Sequence, residues 1–433
     1  MVICDAGHKA FAFRWGQSAS GAAPEKAKFH RRLATPLRLD ARDTYRARPK
    51  VTRLAIAFSP LVNIAQARDA WIQIQPAAHI SFFQSWHWMQ TWLSSLPASQ
   101  QLHLLTVSHD GVLVAAGICV ATRHRRFGLM PVKALHLNST GEPAHDCIAA
   151  EYGNLIAVHG HEASAWSEAL HFLRSANPAW EEFTVEGARP MLLEAWTSMG
   201  LPHRIIRRDH AHFVSLERVR AAEDGKFLTL LPSRARSRIK STRRQIESRL
   251  GPVTLRISST VDEALGFFGE LKQLHQAHWK RRGAEGAFSH SFFELFHRRL
   301  IADSFGDGSI QLARFTAGDT VLGYIYNFVH QGHVYFYQSG LNYEATTRAE
   351  SPGLMLHAMM IDMNAERGHQ VYDLLAGDSQ YKKTLATGSE ELCWFALQQP
   401  RPKFQLERWA RALAGKARSL RQIGLKPGAK RPA

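Results

Sequence analysis

The stretch from Ser351 to Lys382, SPGLMLHAMMIDMNAERGHQVYDLLAGDSQYK, constrains the fold more than any other part of the chain. It opens as a helix, with Ser351 as capping residue, Pro352 in the first turn and Gly368 as the stop. Leu354, Ala358, Ile361 and Ala365 mark the buried face of that helix, flanked by Met355 and Met359. The strand that follows, VYDLLAG, is apolar on both sides and must be covered on both. Three strands precede the helix: SIQLARFT, VLGYIYNFV after Gly318 and Asp319, and HVYFYQSG after Gln331 and Gly332. An antiparallel meander, a helix and a doubly buried strand together predict a mixed sheet flanked by helices.

A similar order appears earlier in the chain. TRLAIAFS begins near Thr52, and the aromatic helical run SFFQSWHWMQTWLSSLP spans Ser81 to Pro97. A hairpin follows, with arms at 102–108 and 112–122 and Asp110-Gly111 in the turn. A helix from Ala163 to Ser175, the strand EFTVEG, a helix ending at Gly200 and a strand over 211–218 close this first series. In the second series, Thr260 and Glu263 form a capping box for a helix reaching Gly283, and another helix spans Ser289 to Ala302. A chain of 433 residues exceeds one ordinary core, so two packed units are expected. The expected divisions are a disordered basic arm over 1–50, a first unit over 51–220, a basic linker helix over 221–252, a second unit over 253–400 and a basic tail over 401–433.

The net charge of +17 invites a nucleic-acid reading, but 16 of those charges come from residues 1–50 and 400–433. Residues 51–399 hold 33 basic and 32 acidic side chains, a nearly neutral body. Arg234 to Arg249 is the internal exception, with seven basic residues and one acid. Four scattered cysteines without a CxxC pair argue against a disulfide framework or a zinc knuckle. No apolar run approaches the ~18 residues that span a bilayer, and a cytoplasmic location is expected. The GxSxG, Walker A and GxGxxG motifs are absent, which removes serine hydrolase, P-loop and simple Rossmann readings. His275 and His278 share one helical face, but no third ligand accompanies them, and no metal is expected.

A meander, a polar turn, a helix with free amides and a further strand resemble the acyl-CoA site of the GNAT fold. Three stretches resemble more narrowly the CelD/BcsL acetyltransferases, kin of the FemAB-like enzymes with two GNAT units. They are FFQSWHWMQTWLSSL with LHLLTVSHDGVLVAAGICVA, the arginine-rich LPSRARSRIKSTRRQIESRLG, and the helix, YD strand and G-D-x-x-Y-K ending of 351–382. The pyrophosphate loop differs from the usual GNAT pattern, since TTRAESPG offers one glycine. The resemblance implies an α/β (α+β) fold of two GNAT-like units in tandem, joined by a basic helix. It also implies acyl-CoA as donor and an amine as acceptor, on a small molecule, a sugar or an envelope or exopolysaccharide precursor. Aminoacyl-tRNA is the alternative donor, as in FemAB-like enzymes, and a non-catalytic scaffold is the third reading.

Several residues carry these expectations, each beside a plainer one. Ser351, Gly353 and Leu354 start the helix, where amides and the helix dipole attract phosphate; the same residues suit an ordinary cap. Arg348 either joins that phosphate or is a solvated loop residue. Tyr335 and Tyr337 share one side of their strand, and Tyr337 either protonates a departing thiolate or fills the core. Asp373, set among apolar neighbours, is either a general base with a raised pKa or a structural acceptor for backbone amides or for Arg/Lys. Asp378, Tyr381 and Lys382 form the turn after that strand, where Lys382 meets a phosphate or an acidic acceptor, or is surface chemistry. Arg238, Arg243 and Arg244 grip an anionic donor, a glycan or RNA, or form a solvated face. In the tail, Leu406, Trp409, Leu413, Ala417 and Leu420 share one side of a basic amphipathic helix, which suits peripheral contact with an anionic membrane or packing on the body.

Overall fold

A computed structural model describes residues 54–175 and 180–424, with side chains as far as residue 413. The first half runs β1 (Leu54–Pro60), α1 (Ile64–Ile74), α2 (Trp86–Ser95), β2 (Gln101–His109), β3 (Val112–Arg126), β4 (Met130–Leu137), α3 (Pro143–Asp146), β5 (Ile156–Ala157), α4 (Glu162–Ser175), β6 (Glu182–Ala188), α5 (Pro190–Thr197) and β7 (His203–Ser215). Two short helices, α6 (Leu216–Arg220) and α7 (Phe227–Leu230), lead to α8 (Ser233–Leu250). The second half runs β8 (Val253–Ile257), α9 (Val261–Arg281), α10 (Ser291–Ser304), β9 (Ile310–Ala317), β10 (Thr320–His330), β11 (His333–Leu341), α11 (Pro352–Glu366), β12 (Val371–Ala376), α12 (Gln380–Leu385), β13 (Gly388–Gln398) and α13 (Pro402–Gly424).

Local chemistry sets the turns and helix starts. Asp110-Gly111 and Gln331-Gly332 take positive φ (51° and 85°, 46° and 78°), the left-handed pair whose twist suits a two-residue hairpin. Thr260 caps α9 by accepting the Glu263 amide, while the Glu263 carboxylate returns to the Ser259 amide rather than to that of Thr260. Ser351 stands at the start of α11 but makes no side-chain capping bond.

The strands form one sheet in the order β1-β2-β3-β4-β6-β13-β7-β12-β11-β10-β9-β8, with β5 attached to β3. This order has an internal symmetry. In each half a meander is followed by a parallel neighbour: β4 beside β6 over 134–136 and 182–184, and β11 beside β12 over 333–335 and 371–373. The last strand of each half then crosses to the other. β7 pairs with β12, β13 pairs with β6, and the two pair antiparallel at the centre. The expected tandem α/β architecture is observed, but the divisions at 220 and 253 do not separate two self-contained sheets.

The core follows the same exchange. Phe82 and Trp88 of the first half pack against Phe328, Phe296 and His297 of the second, with the Phe82 and Phe328 rings stacked 4.4 Å apart. Such ring pairs add roughly 0.5–1.5 kcal/mol each beyond the area they bury. A second cluster lies beneath α4 and α5, and a third joins α8, α11 and α12 to the opposite sheet face. Several elements escape the sequence patterns. β7 starts at His203, because HRIIRRDH carries too many polar groups to read as a strand, and Leu216 to Arg220 is helical rather than extended. β13 sits between two other strands and shows no clean alternation. The expected arm over 1–50 lies outside the described residues, as do residues 425–433 of the tail.

Residues 54–230 produced alone would leave β6 and β7 without β13 between them. They are therefore expected to show no cooperative thermal unfolding by circular dichroism, and co-production with 231–433 restores it. A sharp transition in the isolated fragment would contradict the exchange.

Candidate active site

The site begins where a pairing ends. β11 and β12 are paired only through His333↔Val371, Val334↔Tyr372 and Tyr335↔Asp373, although β11 continues to Leu341 and β12 to Ala376. Past Asp373 the strands part, and the pairing of β12 with β7 is also interrupted between Asp373 and Ala376. Leu375 takes φ 61°, unusual for a non-glycine residue. Parting leaves buried backbone groups without a ladder partner, and each must be satisfied in another way.

Three side chains do this. The Asp373 carboxylate accepts the Leu375 amide at 2.7 Å, Glu151 accepts the Ala376 amide at 2.8 Å, and the Lys382 ammonium donates to the carbonyls of Leu375 (3.0 Å) and Ala376 (2.6 Å). Gly377, at φ 133°, lies so close that an added Cβ would meet the Lys382 Nζ at 3.2 Å. Lys382 is thus buried and turned inward. A surface role toward phosphate or an acidic acceptor is replaced by support of the bulged end of β12, because an ammonium committed to two carbonyls cannot also face solvent.

Asp373 is 4% exposed and sits at the apex of the opening. Its second oxygen accepts a 2.5 Å hydrogen bond from the Tyr152 hydroxyl, donated by the segment following α3 in the first half. Burial pushes the Asp373 carboxyl up to about 7, against the lowering effect of its bonds from Tyr152 and Leu375 and with the help of the Glu151 and Glu390 charges. Burial likewise raises the Glu151 carboxyl and lowers the Lys382 ammonium, while each charge opposes the shift of the other. Burial and the neighbouring Asp373 keep the Tyr152 phenol protonated. Arg189, ion-paired with Glu390 at 2.8 Å, lies over the Tyr152 ring at 5.8 Å.

Tyr337 is elsewhere. Its hydroxyl donates to the Ile148 carbonyl at 2.6 Å and lies 2.9 Å from His297 Nε2, inside the aromatic core. With the side chain of Tyr337 wholly buried there, the phenol at the apex is Tyr152.

The other end of the opening meets α11. Asn342 turns the chain after β11 by accepting the amides of Glu344 and Ala345. Glu350 is buried and held by Arg249 of α8 at 2.9 and 3.1 Å and by the Thr347 amide at 2.8 Å. The Ser351 amide donates to Thr242 on α8 at 3.1 Å. Pro352 has no N–H, and among the described residues the Gly353 and Leu354 amides have no intramolecular hydrogen bond. Two free donors therefore stand at the positive end of a helix of 15 residues. Arg348 is exposed on the same loop.

α8 presents Ile239, Thr242 and Ile246 inward. At about 100° per residue, Arg238 falls on the Thr242 side of the helix, whereas Arg244 lies about 200° round from it. Arg243 is ion-paired with Glu247 at 2.9 Å. Asp378 is exposed and ion-paired with Lys383, and Tyr381 stacks on His357 with ring centroids 5.6 Å apart. Among the described residues no group of three or more His, Cys, Asp or Glu is placed to hold a metal ion, and the His275 ring accepts the Trp279 indole N–H at 3.0 Å.

The corresponding opening in the first half is built differently. Its apex pairs His136 with Thr184, joined at 2.6 Å, and the helix after β4 is the four-residue α3. The 14-residue α4 completes the passage from β4 to β6.

Glu151 and Tyr152 carried no signal in the sequence. They lie in an irregular segment over 220 residues from Asp373, and only the exchanged sheet brings them there.

Residues 233–383 match the family model described as an acetyltransferase (GNAT) domain. The chain is similar in fold to the crystal structure of FemX, with a TM-score of 0.51 and 13% identity over 80% of this chain and 99% of that one. It is similar also to a conserved protein of unknown function from Bacteroides thetaiotaomicron, with a TM-score of 0.50 and 7% identity over 80% of this chain and 100% of that one. No curated protein matches the sequence.

Two consequences of the apex can be measured. Lys382→Met would leave two buried carbonyls without their donor and take a compensating charge away from the buried Glu151, so denaturant unfolding is expected to show a loss of about 3–5 kcal/mol; a change within about 0.5 kcal/mol would mark an ordinary surface lysine. Asp373 titrates near 7 when folded against a usual value of 3.8, so the folded state holds its proton between those limits and stability falls as pH rises through that window. Asp373→Asn is expected to remove this slope, and an unchanged slope would place the charge elsewhere.

From the start of α8 to α12, then, the chain matches an acetyltransferase (GNAT) domain, which supports an N-acyltransferase.

Proposed function

We propose that the chain transfers an acyl group, in the first instance acetyl, from acyl-CoA to an amine, with the donor held by the second half alone. One observation carries this reading: the free amides of Gly353 and Leu354 stand at the end of the opening whose apex is Asp373. Phosphate oxygens of the donor would take those amides, with Arg238 and Arg348 adding charge nearby. The acyl thioester would then lie along the parted strands toward Tyr152 and Asp373.

In this reading the acceptor amine gives its proton to the Tyr152 oxygen as the Tyr152 proton passes to Asp373. The amine nitrogen forms its bond to the acyl carbon, the carbon–sulfur bond breaks, and the thiolate recovers a proton from the same pair. A carboxyl near 7 suits that exchange at neutral pH. Glu151 and Lys382 position the apex and do not react.

The three stretches that resemble CelD/BcsL acetyltransferases favour an acceptor amine on a sugar or an exopolysaccharide precursor. An acyl-CoA donor and three buried free cysteines, Cys119, Cys147 and Cys393, accord with a cytoplasmic site of action. The exposed arginines of α8 favour aminoacyl-tRNA as the second reading of the donor.

Thermal shift with acetyl-CoA, longer acyl-CoAs and tRNA side by side tests the proposal, because a ligand of the native state raises the melting temperature. Acyl-CoA is expected to do so and tRNA is not; stabilisation by tRNA alone would replace the donor. Gly353→Pro deletes one amide at a position where a helix tolerates proline, and is expected to weaken acetyl-CoA binding by roughly tenfold or more. The acid limb of kcat is expected near pH 7 and to vanish with the activity in Asp373→Asn; full activity in that variant would refute the base.

A further inference from the structure

Over its described side chains, as far as Leu413, the C-terminal helix α13 is fastened to the body by one face. Phe404 is fully buried under Arg126 and Lys403, and Glu407 is held by Arg126 at 2.8 Å and by Arg411 at 2.6 Å. Away from that face, Leu406, Trp409 and Leu413 are 61%, 60% and 68% exposed. At about 100° per residue the three fall within an arc of about 60°, so they form one stripe along the helix. The helical backbone continues to Gly424, although the side chains of Ala417 and Leu420 lie outside the described residues.

The tip of the β3–β4 hairpin lies against the same helix, with the Arg411 guanidinium 5.8 Å over the Phe127 ring. Phe127 and Leu129 are 71% and 83% exposed there. Phe127 also takes φ 53°, a left-handed conformation that costs a bulky residue roughly 1 kcal/mol and that glycine would adopt freely. An exposed aromatic held in that conformation contributes nothing to the core. Five of the twelve large apolar residues exposed on the described surface therefore belong to α13 and this tip, which makes chance scatter a poor explanation.

The charge around them has one sign. Arg123 and Arg125 are exposed on β3, and Arg401, Arg408 and Arg411 are exposed along α13, while Glu407 is buried and paired. Between α13 and the Gly200–His203 loop lies a hollow of about 450 Å³ lined by Leu201, Pro202, His203, Arg401, Gln405 and Arg408, the right chemistry for an anionic headgroup.

We propose that α13 and the β3–β4 tip dock on an anionic lipid bilayer, with the apolar side chains in the headgroup boundary and the arginines on lipid phosphates. An RNA partner would use the arginines but leave Leu406, Trp409 and Leu413 in water. A bilayer covers both kinds of group.

Sedimentation of the full chain with phosphatidylglycerol vesicles and with phosphatidylcholine vesicles tests this. Binding to the anionic vesicles alone is expected, weakened by added salt. A variant carrying Leu406→Gln, Trp409→Ser and Leu413→Gln is expected to lose that binding by at least about tenfold with an unchanged melting temperature, since the residues replaced are exposed. Arg401→Glu with Arg408→Glu is expected to weaken it as well. No binding to either vesicle, equal binding to both, or undiminished binding by the triple variant would overturn the proposal. So would self-association abolished by the triple variant, which would assign the stripe to a second copy, or retention of tRNA through the same residues.

Discussion

The parallel contact between β11 and β12 lasts three residues, and the consequences of its ending shape the rest of the site. Continued pairing would satisfy the backbone and close the sheet. Parting opens a space in line with the start of α11 but exposes amides and carbonyls of β12 to a buried setting. Asp373, Glu151 and Lys382 answer that demand, and the charges they bring are what make the apex chemically unusual. A carboxyl near neutrality is a by-product of holding the strands apart, and the same carboxyl is then available for proton transfer.

The exchange of β7 and β13 explains how the first half takes part. Its own passage from β4 to β6 is broken into the four-residue α3, the short β5 and α4. That half contributes Glu151, Tyr152 and Arg189 around the apex of the other half. Neither half is complete without the other, both as a sheet and as a site, which gives a physical reason for the tandem arrangement to persist as one body. Aromatic packing between α2 and α10 reinforces the join.

What could be read from the residues depended on how local the cause was. α11 and β12 were legible because a cap position, a first-turn proline and a doubly apolar strand act within a few residues of one another. Asp373 stood out as a carboxylate in an apolar run, and Gly353 as part of a helix start. Tyr152 and Glu151 were not legible, since their roles arise from contacts made across more than 200 residues. Lys382 was visible as a charge, but nothing nearby revealed that it turns inward to two carbonyls. β13 and the early part of β7 stayed hidden for a related reason: central strands owe their place to neighbours on both sides, and their own sequences are polar and uneven.

Donor binding in the second half depends on the amides at the start of α11. Selective labelling of glycine and leucine, with the amide resonances of Gly353 and Leu354 followed during titration with coenzyme A, addresses them directly. Large, saturable shifts at both residues are the predicted result. Shifts confined to residues around the hollow beside α13, with Gly353 and Leu354 unmoved at saturation, would contradict it.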